Sequence, residues 1–388
     1  MKTDAEQPIY LDNQATTACD PAVVEAMLPF FTQAFGNPHS VEHAYGRAAE
    51  EAVEAARAQI AELIGAEPRE VIFTSGATES NNLAIKGAAR FRARLGRRKV
   101  VTLASEHKCV LESARALAGE GFAVEILPVG ADGLVDLERL DAALDEETAL
   151  VSVMAANNEI GTLQPLAEIA ALAHAKGVWL HSDAAQAAGK IPFDVRSLDL
   201  DLVSLSSHKL YGPKGIGALF VRRRPRVRLE PLFSGGGQER GLRSGTLAPA
   251  LCVGFGVAAE LAGKAQAPEA ARLWDLHRRL LDGLRAGLPN MIENGHPSER
   301  LPGNVNITLP GIDAQALMAA VPELALSTGS ACSSASIEPS YVLRAIGLDE
   351  ASARCSLRVG LGRWTAVEEI DRAVGLILAA VARLQAAA

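Results

Sequence analysis

The chain has 388 residues, 48% of them apolar and 22% charged, a composition that predicts a globular protein with a large core and excludes disordered and fibrous classes. Its 38 Lys and Arg against 46 Asp and Glu give a formal net charge of −8, which argues against a general nucleic-acid binder. The five cysteines form no CxxC pair, so neither a disulfide framework nor a thiolate zinc site is predicted.

The sequence carries no export or membrane signal that we recognise. Residues 1–20 lack the basic and then apolar pattern of a secretory signal. The longest apolar stretches, such as residues 373–382, fall short of the ~20 residues that a bilayer span requires. Because scattered cysteines also fit a reducing compartment, we expect a cytoplasmic protein.

Residues 70–222 alternate short β-rich apolar runs with helical periodicity, which is typical of a mostly parallel sheet covered on both faces. We expect a helical segment between successive strands except before the last. Asp136 and Pro165 are predicted to begin helices, and Gly177 to end one. The seven predicted strands are Val71–Thr74, Val100–Ala104, Ala123–Pro128, Leu150–Ala155, Val178–His181, Leu202–Leu205 and Ala218–Val221.

The pattern changes after Thr246, where long Ala- and Leu-rich helical stretches surround the β-like segment NVNITL. We therefore predict a second, smaller α+β domain. The large domain is expected to span 15–260, and the small domain 1–14 and 261–388. The segment 327–336, STGSACSSAS, has few side chains to bury and is predicted to be a mobile loop that carries Cys332.

Polar residues follow several of the predicted strands directly. Ligands of parallel sheets collect at the carboxyl ends of the strands, so these residues are the first candidates for a site. Singly, each is more often a helix cap or a structural side chain. The candidates are Gly76–Glu79, Glu106–His107, Asn157–Asn158, Asp183–Gln186 and Ser206–Lys209.

Taken as a set, these residues offer what pyridoxal phosphate requires. A lysine can bind the cofactor covalently, a carboxylate can keep the pyridine nitrogen protonated, and hydroxyl groups at a helix N-terminus can hold the phosphate. The glycines of GPKGIG at 212–217 have the wrong spacing for a dinucleotide site. His39 and His43 have the spacing of a metal pair but no third ligand, so no metal site is predicted.

The sequence resembles the cysteine desulfurases of the NifS/IscS type, a class V aminotransferase-like family of fold-type I pyridoxal phosphate enzymes. The resemblance extends over nearly the whole chain and implies an α/β fold with a seven-stranded sheet in the large domain. The motifs that carry it are YLDNQATT at 10–17, FGNPHS at 35–40, FTSGATESNNLAIKG at 73–87, NNEIG at 157–161, SSHKLYGPKGIGALFVRR at 206–223, GGGQERGLRSGT at 235–246 and STGSACSSASIEPSYVLRAIG at 327–347.

The resemblance implies a role for each matching residue. Lys209 is expected to bind the cofactor covalently, Asp183 to pair with the pyridine nitrogen, and His107 to stack on the ring and serve in proton transfer. Thr246 is expected to reach the phosphate of a neighbouring subunit, which implies a homodimer. The other implied cofactor contacts are Ala77, Thr78, Ser206 and His208 for the phosphate and Gln186 for the ring hydroxyl.

Substrate recognition and sulfur transfer are assigned to three further residues. The resemblance implies that Asn158 and Arg358 bind the carboxylate of L-cysteine, and the planar fork of arginine suits a bidentate contact. Cys332, in a loop of small residues, is expected to be the nucleophile, which could also transiently touch an iron–sulfur cluster. The other cysteines, among them Cys109 and Cys252 in apolar helical contexts, are interpreted as structural.

The expected reaction converts L-cysteine to L-alanine and leaves a persulfide on Cys332. The sulfur would then pass to an acceptor such as an iron–sulfur scaffold or a thiolation enzyme. A selenocysteine lyase or a class V aminotransferase is the alternative, although an aminotransferase would have no need of Cys332. A non-catalytic interaction protein with this fold is disfavoured by the presence of Lys209, Asp183 and Cys332 together.

Overall fold

The computed structural model describes residues 8–329 and 339–387, so that Cys332 lies outside the described residues. The strands are β1 (Ile9–Tyr10), β2 (Val71–Thr74), β3 (Lys99–Leu103), β4 (Ala123–Leu127), β5 (Thr148–Ser152), β6 (Trp179–Asp183), β7 (Leu202–Ser206), β8 (Gly217–Val221), β9 (Ile292–Glu293), β10 (Asn304–Thr308), β11 (Leu324–Ala325) and β12 (Ser356–Gly360). The helices are α1 (Pro21–Met27), α2 (Pro29–Thr32), α3 (Ala44–Leu63), α4 (Ala77–Ala93), α5 (Lys108–Ala118), α6 (Leu137–Ala143), α7 (Leu166–Ala175), α8 (Pro249–Gly287), α9 (Ala314–Ala320), α10 (Tyr341–Ala345), α11 (Glu350–Arg354) and α12 (Val367–Ala387).

The large sheet has seven strands in the order β2-β8-β7-β6-β5-β3-β4. Its strands β3 to β7 pair in parallel, whereas β8 is antiparallel to both β7 and β2. Separate apolar clusters cover its two faces, which explains why most of the strands are continuous apolar runs. The predicted α/β architecture with a mostly parallel seven-stranded sheet is confirmed, and each strand starts and ends within three residues of its prediction.

The predicted helix boundaries hold where a local signal sets them. Asp136 caps α6 by accepting hydrogen bonds from the backbone of Glu138 and Arg139. Pro165 is the residue before α7, and Gly177 follows that helix with φ +64°.

The helix expected between β6 and β7 is wrong, because residues 184–201 form turns. Gly189 has φ +73° and Pro192 lacks a backbone N–H, so a continuous helix cannot run through this segment.

A second apolar core surrounds a three-stranded antiparallel sheet in the order β12-β10-β9. The first part of α8, with Phe255, packs in the core of the large sheet, and the last part, with Leu280, packs in the second core. Ile9 and Leu11 join the second core through the parallel pairing of β1 with β11. Because α8 is continuous across residue 260, the division of the chain into 15–260 and the rest stays a prediction.

Candidate active site

A cavity of about 520 Å³ lies at the carboxyl ends of β6 and β7. Its wall combines residues of the large sheet with Arg358 of the small sheet. Thr246 is exposed and does not line the cavity of its own chain. The predicted site residues that the structure brings together here are Ala77, Thr78, His107, Asn158, Asp183, Gln186, Ser206, His208, Lys209 and Arg358.

Lys209 reaches the cavity from a short 3-10 turn, Ser207–Lys209, that directly follows β7. Its Nζ donates hydrogen bonds to the backbone oxygens of Gln14, over 2.5 Å, and Ala15, over 2.8 Å. The N-terminal segment therefore holds the lysine at the cavity wall through neutral acceptors.

Asp183 is the last residue of β6, and its carboxylate is buried at the cavity. Oδ2 accepts a hydrogen bond of 2.6 Å from Nδ2 of Asn81, and Oδ1 accepts one of 3.0 Å from the backbone N–H of Ala185. Both bonds fix the orientation of the carboxylate. Sequence reasoning missed Asn81, although it lies in α4 within the motif that follows the glycine turn.

The N-terminus of α4 forms an anion cradle. Gly76 is the residue before the helix, has φ +150° and supplies no side-chain cap, so the first N–H groups of the helix, at Ala77 and Thr78, lack that partner. Unpaired N–H groups and the helix dipole favour a bound anion. Ser206, Lys209 and Lys214 line the same cavity, which adds a hydroxyl group and positive charge.

His208 lies beside this cradle. Its Nδ1 is 3.0 Å from Oγ1 of Thr16. Burial, followed by the charges of Lys209, Lys214 and Lys190, lowers the pKa of His208 to about 4. The imidazole is therefore neutral at physiological pH, and one of its ring nitrogens can donate a hydrogen bond.

His107 caps α5, and this fixes which ring nitrogen carries its proton. Its Nδ1 accepts a hydrogen bond of 3.2 Å from the backbone N–H of Cys109, so the neutral ring is protonated at Nε2. Sγ of Cys109 lies 3.0 Å from the same Nδ1 and also accepts a hydrogen bond from Asn81. Cys109, in the first turn of α5, is among the residues that line the cavity, and its interpretation as a structural residue stays a prediction.

Arg358 enters the cavity from the middle of β12 and is only 2% exposed. Nη2 pairs with Oδ1 of Asp12 at 2.7 Å, and Nη1 donates to the backbone oxygen of Asn158 at 2.9 Å. Its buried Nε has no hydrogen-bond partner among the described residues. Arg358 therefore lines the cavity with its guanidinium group held by one carboxylate and one backbone oxygen.

Glu159 is a further buried acid of the cavity wall that sequence reasoning missed. Burial raises its pKa, against a hydrogen bond from the Ser340 hydroxyl and the charge of Arg358. A Cβ at Gly329 would lie 2.7 Å from its Oε2. One side chain therefore contacts both Gly329 and Ser340, which lie on either side of the undescribed residues 330–338.

The donor set of this cavity fits pyridoxal phosphate. The helix cradle suits a phosphate dianion, the oriented carboxylate of Asp183 suits a protonated pyridine nitrogen, and Lys209 supplies the amine for covalent attachment. Arg358 at the cavity wall adds a positive charge that suits the carboxylate of an amino-acid substrate.

Comparisons with known proteins agree with this assignment. The family model "Aminotransferase class-V" matches residues 9–373. A protein of Arthroderma benhamiae called "Cysteine desulfurase, mitochondrial" is 57% identical over 95% of this chain and 73% of its own length. "Cysteine desulfurase IscS" of Rickettsia bellii is 53% identical over 97% of this chain and 92% of its own length. A solved structure titled "NIFS-LIKE PROTEIN" superimposes with a TM-score of 0.90 at 36% identity, covering 97% of this chain and 100% of that chain.

The chain is therefore a member of the class V aminotransferase family, and it shares the fold of the NifS-like neighbour. Within that family it belongs to the cysteine desulfurases, which depend on pyridoxal phosphate. The predicted family, fold, enzyme class and cofactor are confirmed.

Proposed function

We propose that this cysteine desulfurase transfers the sulfur of L-cysteine to Cys332 as a persulfide and releases L-alanine. The observation that carries the proposal is the meeting of Lys209, Asp183 and Arg358 in one cavity. Gly329 and Pro339, which border the undescribed segment with Cys332, also line that cavity. The net reaction conserves atoms and electrons, because L-cysteine and a thiol give L-alanine and a persulfide.

The described residues divide the binding of pyridoxal phosphate among them. Lys209 would hold the cofactor covalently, Asp183 its pyridine nitrogen, and Gln186 its ring oxygen, while His107 would stack on the ring. When bound, the cofactor withdraws electrons from the α-carbon of the amino acid. The phosphate would contact the backbone of Ala77 and the side chains of Thr78, Ser206 and His208.

The chain's own residues bind the substrate and move its protons. Arg358 and Asn158, which both line the cavity, would bind the carboxylate of L-cysteine and so orient the α-carbon. Nζ of Lys209, once it leaves the carbonyl oxygens of Gln14 and Ala15, would take the α-proton as general base. His107, with its proton on Nε2, would supply a proton at the site of C–S bond cleavage.

The sulfur then moves to Cys332. Its thiolate would attack the sulfur of the substrate, so that an S–S bond forms while the C–S bond breaks and the electron pair goes to the carbon that becomes the methyl group of alanine. Only about 3% of an unperturbed thiol is ionised at pH 7, so this attack needs a base or a local positive charge.

The proposal extends to the assembly and its partners. A homodimer is supported by exposed Thr246, which lies outside the cavity of its own chain, and by exposed Leu28, Phe31 and Phe35. In the dimer, Thr246 would reach the phosphate in the other subunit. The persulfide would pass to an acceptor protein such as an iron–sulfur scaffold or a thiolation enzyme.

The location of the protein remains part of the proposal. No described helix has both the length and the apolar character that a bilayer crossing requires. We propose a cytoplasmic site of action because the described free cysteines, Cys19, Cys109, Cys252 and Cys355, are unpaired. Fractionation of the source cells, followed by immunodetection, tests this location; recovery in an organelle would contradict it.

The experiment that tests the reaction measures sulfide and alanine formed from L-cysteine with a reductant after cofactor loading. We expect equal amounts from the wild type and none from Lys209→Ala or Cys332→Ala. Full sulfide release by Cys332→Ala would refute the persulfide route. If the loaded wild type forms neither product, the proposed reaction is wrong, and selenocysteine cleavage or amino-group transfer should be assayed instead.

A further inference from the structure

The carboxamide of Gln186 is held at both of its ends. Its Nε2 donates to the backbone oxygen of Gln14 over 2.8 Å, and its Oε1 accepts from Nζ of Lys190 over 2.8 Å. The side chain is 4% exposed and lines the active-site cavity. Because an ammonium group can only donate and a carbonyl oxygen can only accept, Lys190 and the backbone of Gln14 together select one of the two orientations of the amide.

The same hydrogen bonds connect Lys190 to Lys209. The backbone oxygen of Gln14 accepts from both Gln186 and Lys209, the latter over 2.5 Å. Three successive hydrogen bonds therefore join the two lysines, although Lys190 does not line the active-site cavity itself. A change at Lys190 is transmitted to the cavity through Gln186 and Gln14.

Lys190 lies behind the cavity wall, four residues after Gln186 in the turns that follow β6. It borders a separate space of about 20 Å³, together with Gln14 and Glu269. Burial, followed by the charge of Lys209, lowers the pKa of Lys190 to about 7, with Glu269 raising it and Arg358 lowering it. A cation in such surroundings reduces stability unless its contacts compensate, and the reaction described above does not use it.

We propose that Lys190 is a positioning residue that makes Gln186 present an N–H group, rather than its carbonyl oxygen, to the ring oxygen of the bound cofactor. The inference rests on the proposed contact between Gln186 and that ring oxygen. An N–H donor stabilises the deprotonated ring oxygen, whereas a flipped amide would stabilise its hydroxyl form. In its protonated form, Lys190 also carries a positive charge that acts in the same direction.

The decisive variant is Lys190→Met, which removes the ammonium group and keeps much of the side-chain volume. In the cofactor-loaded protein the chromophore is the bound cofactor, and its pKa is obtained from its absorption as a function of pH. We expect this pKa to rise by roughly one unit in Lys190→Met. Equilibrium dialysis should show cofactor affinity reduced roughly threefold to tenfold. The matched control Lys264→Met, at an exposed position of α8, should change neither quantity.

A second variant separates this inference from the proposed function. If Gln186→Ala leaves the chromophore titration unchanged, Gln186 does not contact the ring oxygen, and both the contact and the inference are wrong. If Gln186→Ala shifts the titration but Lys190→Met does not, the contact stands and the positioning role of Lys190 is overturned.

A purely structural role for Lys190 predicts a different experimental result. Lys190→Met would then lower the unfolding temperature of the cofactor-free protein while the titration stays at the wild-type pKa, and that result overturns the inference. Should Lys190→Met fail to fold, the neutral Lys190→Gln is titrated in its place, and an unchanged titration again counts against the positioning role.

Discussion

The large sheet contributes the ends of its strands to the active-site cavity, whereas the small sheet contributes the middle of one strand. Asp183 and Lys209 lie at or just after the carboxyl ends of β6 and β7, where α4 and the N-terminal segment supply hydrogen bonds to them. Arg358 lies within β12, and its partners Asp12 and Asn158 belong to distant parts of the chain. Under the proposed function, the large sheet supplies Asp183 and Lys209 for the chemical steps, and Arg358 of the small sheet completes the substrate site with Asn158.

Asp183→Asn tests the wall formed by the large sheet and should have the largest effect. The amide cannot supply the negative charge that keeps the pyridine nitrogen protonated, so kcat should fall roughly 10³-fold while cofactor still binds. Steady-state alanine formation and the absorption of the loaded protein measure both quantities. Wild-type kcat in Asp183→Asn would remove Asp183 from the proposed chemistry.

Glu239→Gln tests how the core of the large sheet is held together. Glu239 and Arg57 form a buried pair at 2.7 Å, each 3% exposed, and Glu239 also accepts from the backbone of Phe73. Leaving Arg57 without this charge should lower the free energy of unfolding by about 3 kcal/mol in urea titrations.

The control for this variant uses the same arginine. Glu54 also pairs with Arg57 but is 53% exposed, so Glu54→Gln should cost less than about 0.5 kcal/mol. Equal losses from the two variants would contradict the distinction between the buried and the exposed pair.

Arg358→Lys tests the wall formed by the small sheet. Lysine keeps the positive charge but loses the planar fork, so KM for L-cysteine should rise roughly 30-fold, with kcat changing much less. Arg354→Lys, at an exposed arginine paired with Glu350, is the matched control and should behave as the wild type. A fall in kcat with unchanged KM would move Arg358 from substrate binding to the chemical steps.

The variant Glu293→Gln tests the core of the small sheet, and we expect it to have the smallest effect, on the free energy of unfolding. Burial raises the pKa of Glu293, but the hydrogen bond with His277 and the charge of Arg300, 2.6 Å away, bring the pKa below its usual value. A carboxylate with a lowered pKa adds stability above its unfolded-state pKa, and this stability is lost as pH falls through the folded-state pKa.

The expected contribution is about 1 kcal/mol, because the Glu293 side chain remains 17% exposed. Unfolding free energies of wild type and Glu293→Gln, measured between pH 7 and pH 3, should therefore converge as the pH falls. Parallel pH profiles would show that the ionisation of Glu293 does not stabilise the fold.

Local sequence signals predicted the elements that depend on neighbouring residues. Asp136 and Gly177 mark helix ends through contacts within a few residues, and the apolar runs of the large sheet are continuous because both of its faces are covered. The helix expected between β6 and β7 failed because Gly189 and Pro192 interrupt the segment.

By itself, the sequence determined the family, the seven-stranded sheet and the residues that meet at its edge, because these follow from motifs and periodicity along the chain. Only the tertiary structure decided the partners of those residues. Asp12 is 346 positions from Arg358, and Asn81 is 102 positions from Asp183. Hydrogen bonds act over about 3 Å, so pairings between side chains so far apart in the chain, and the orientation of Gln186 by Lys190, exist only once the strands and loops have packed.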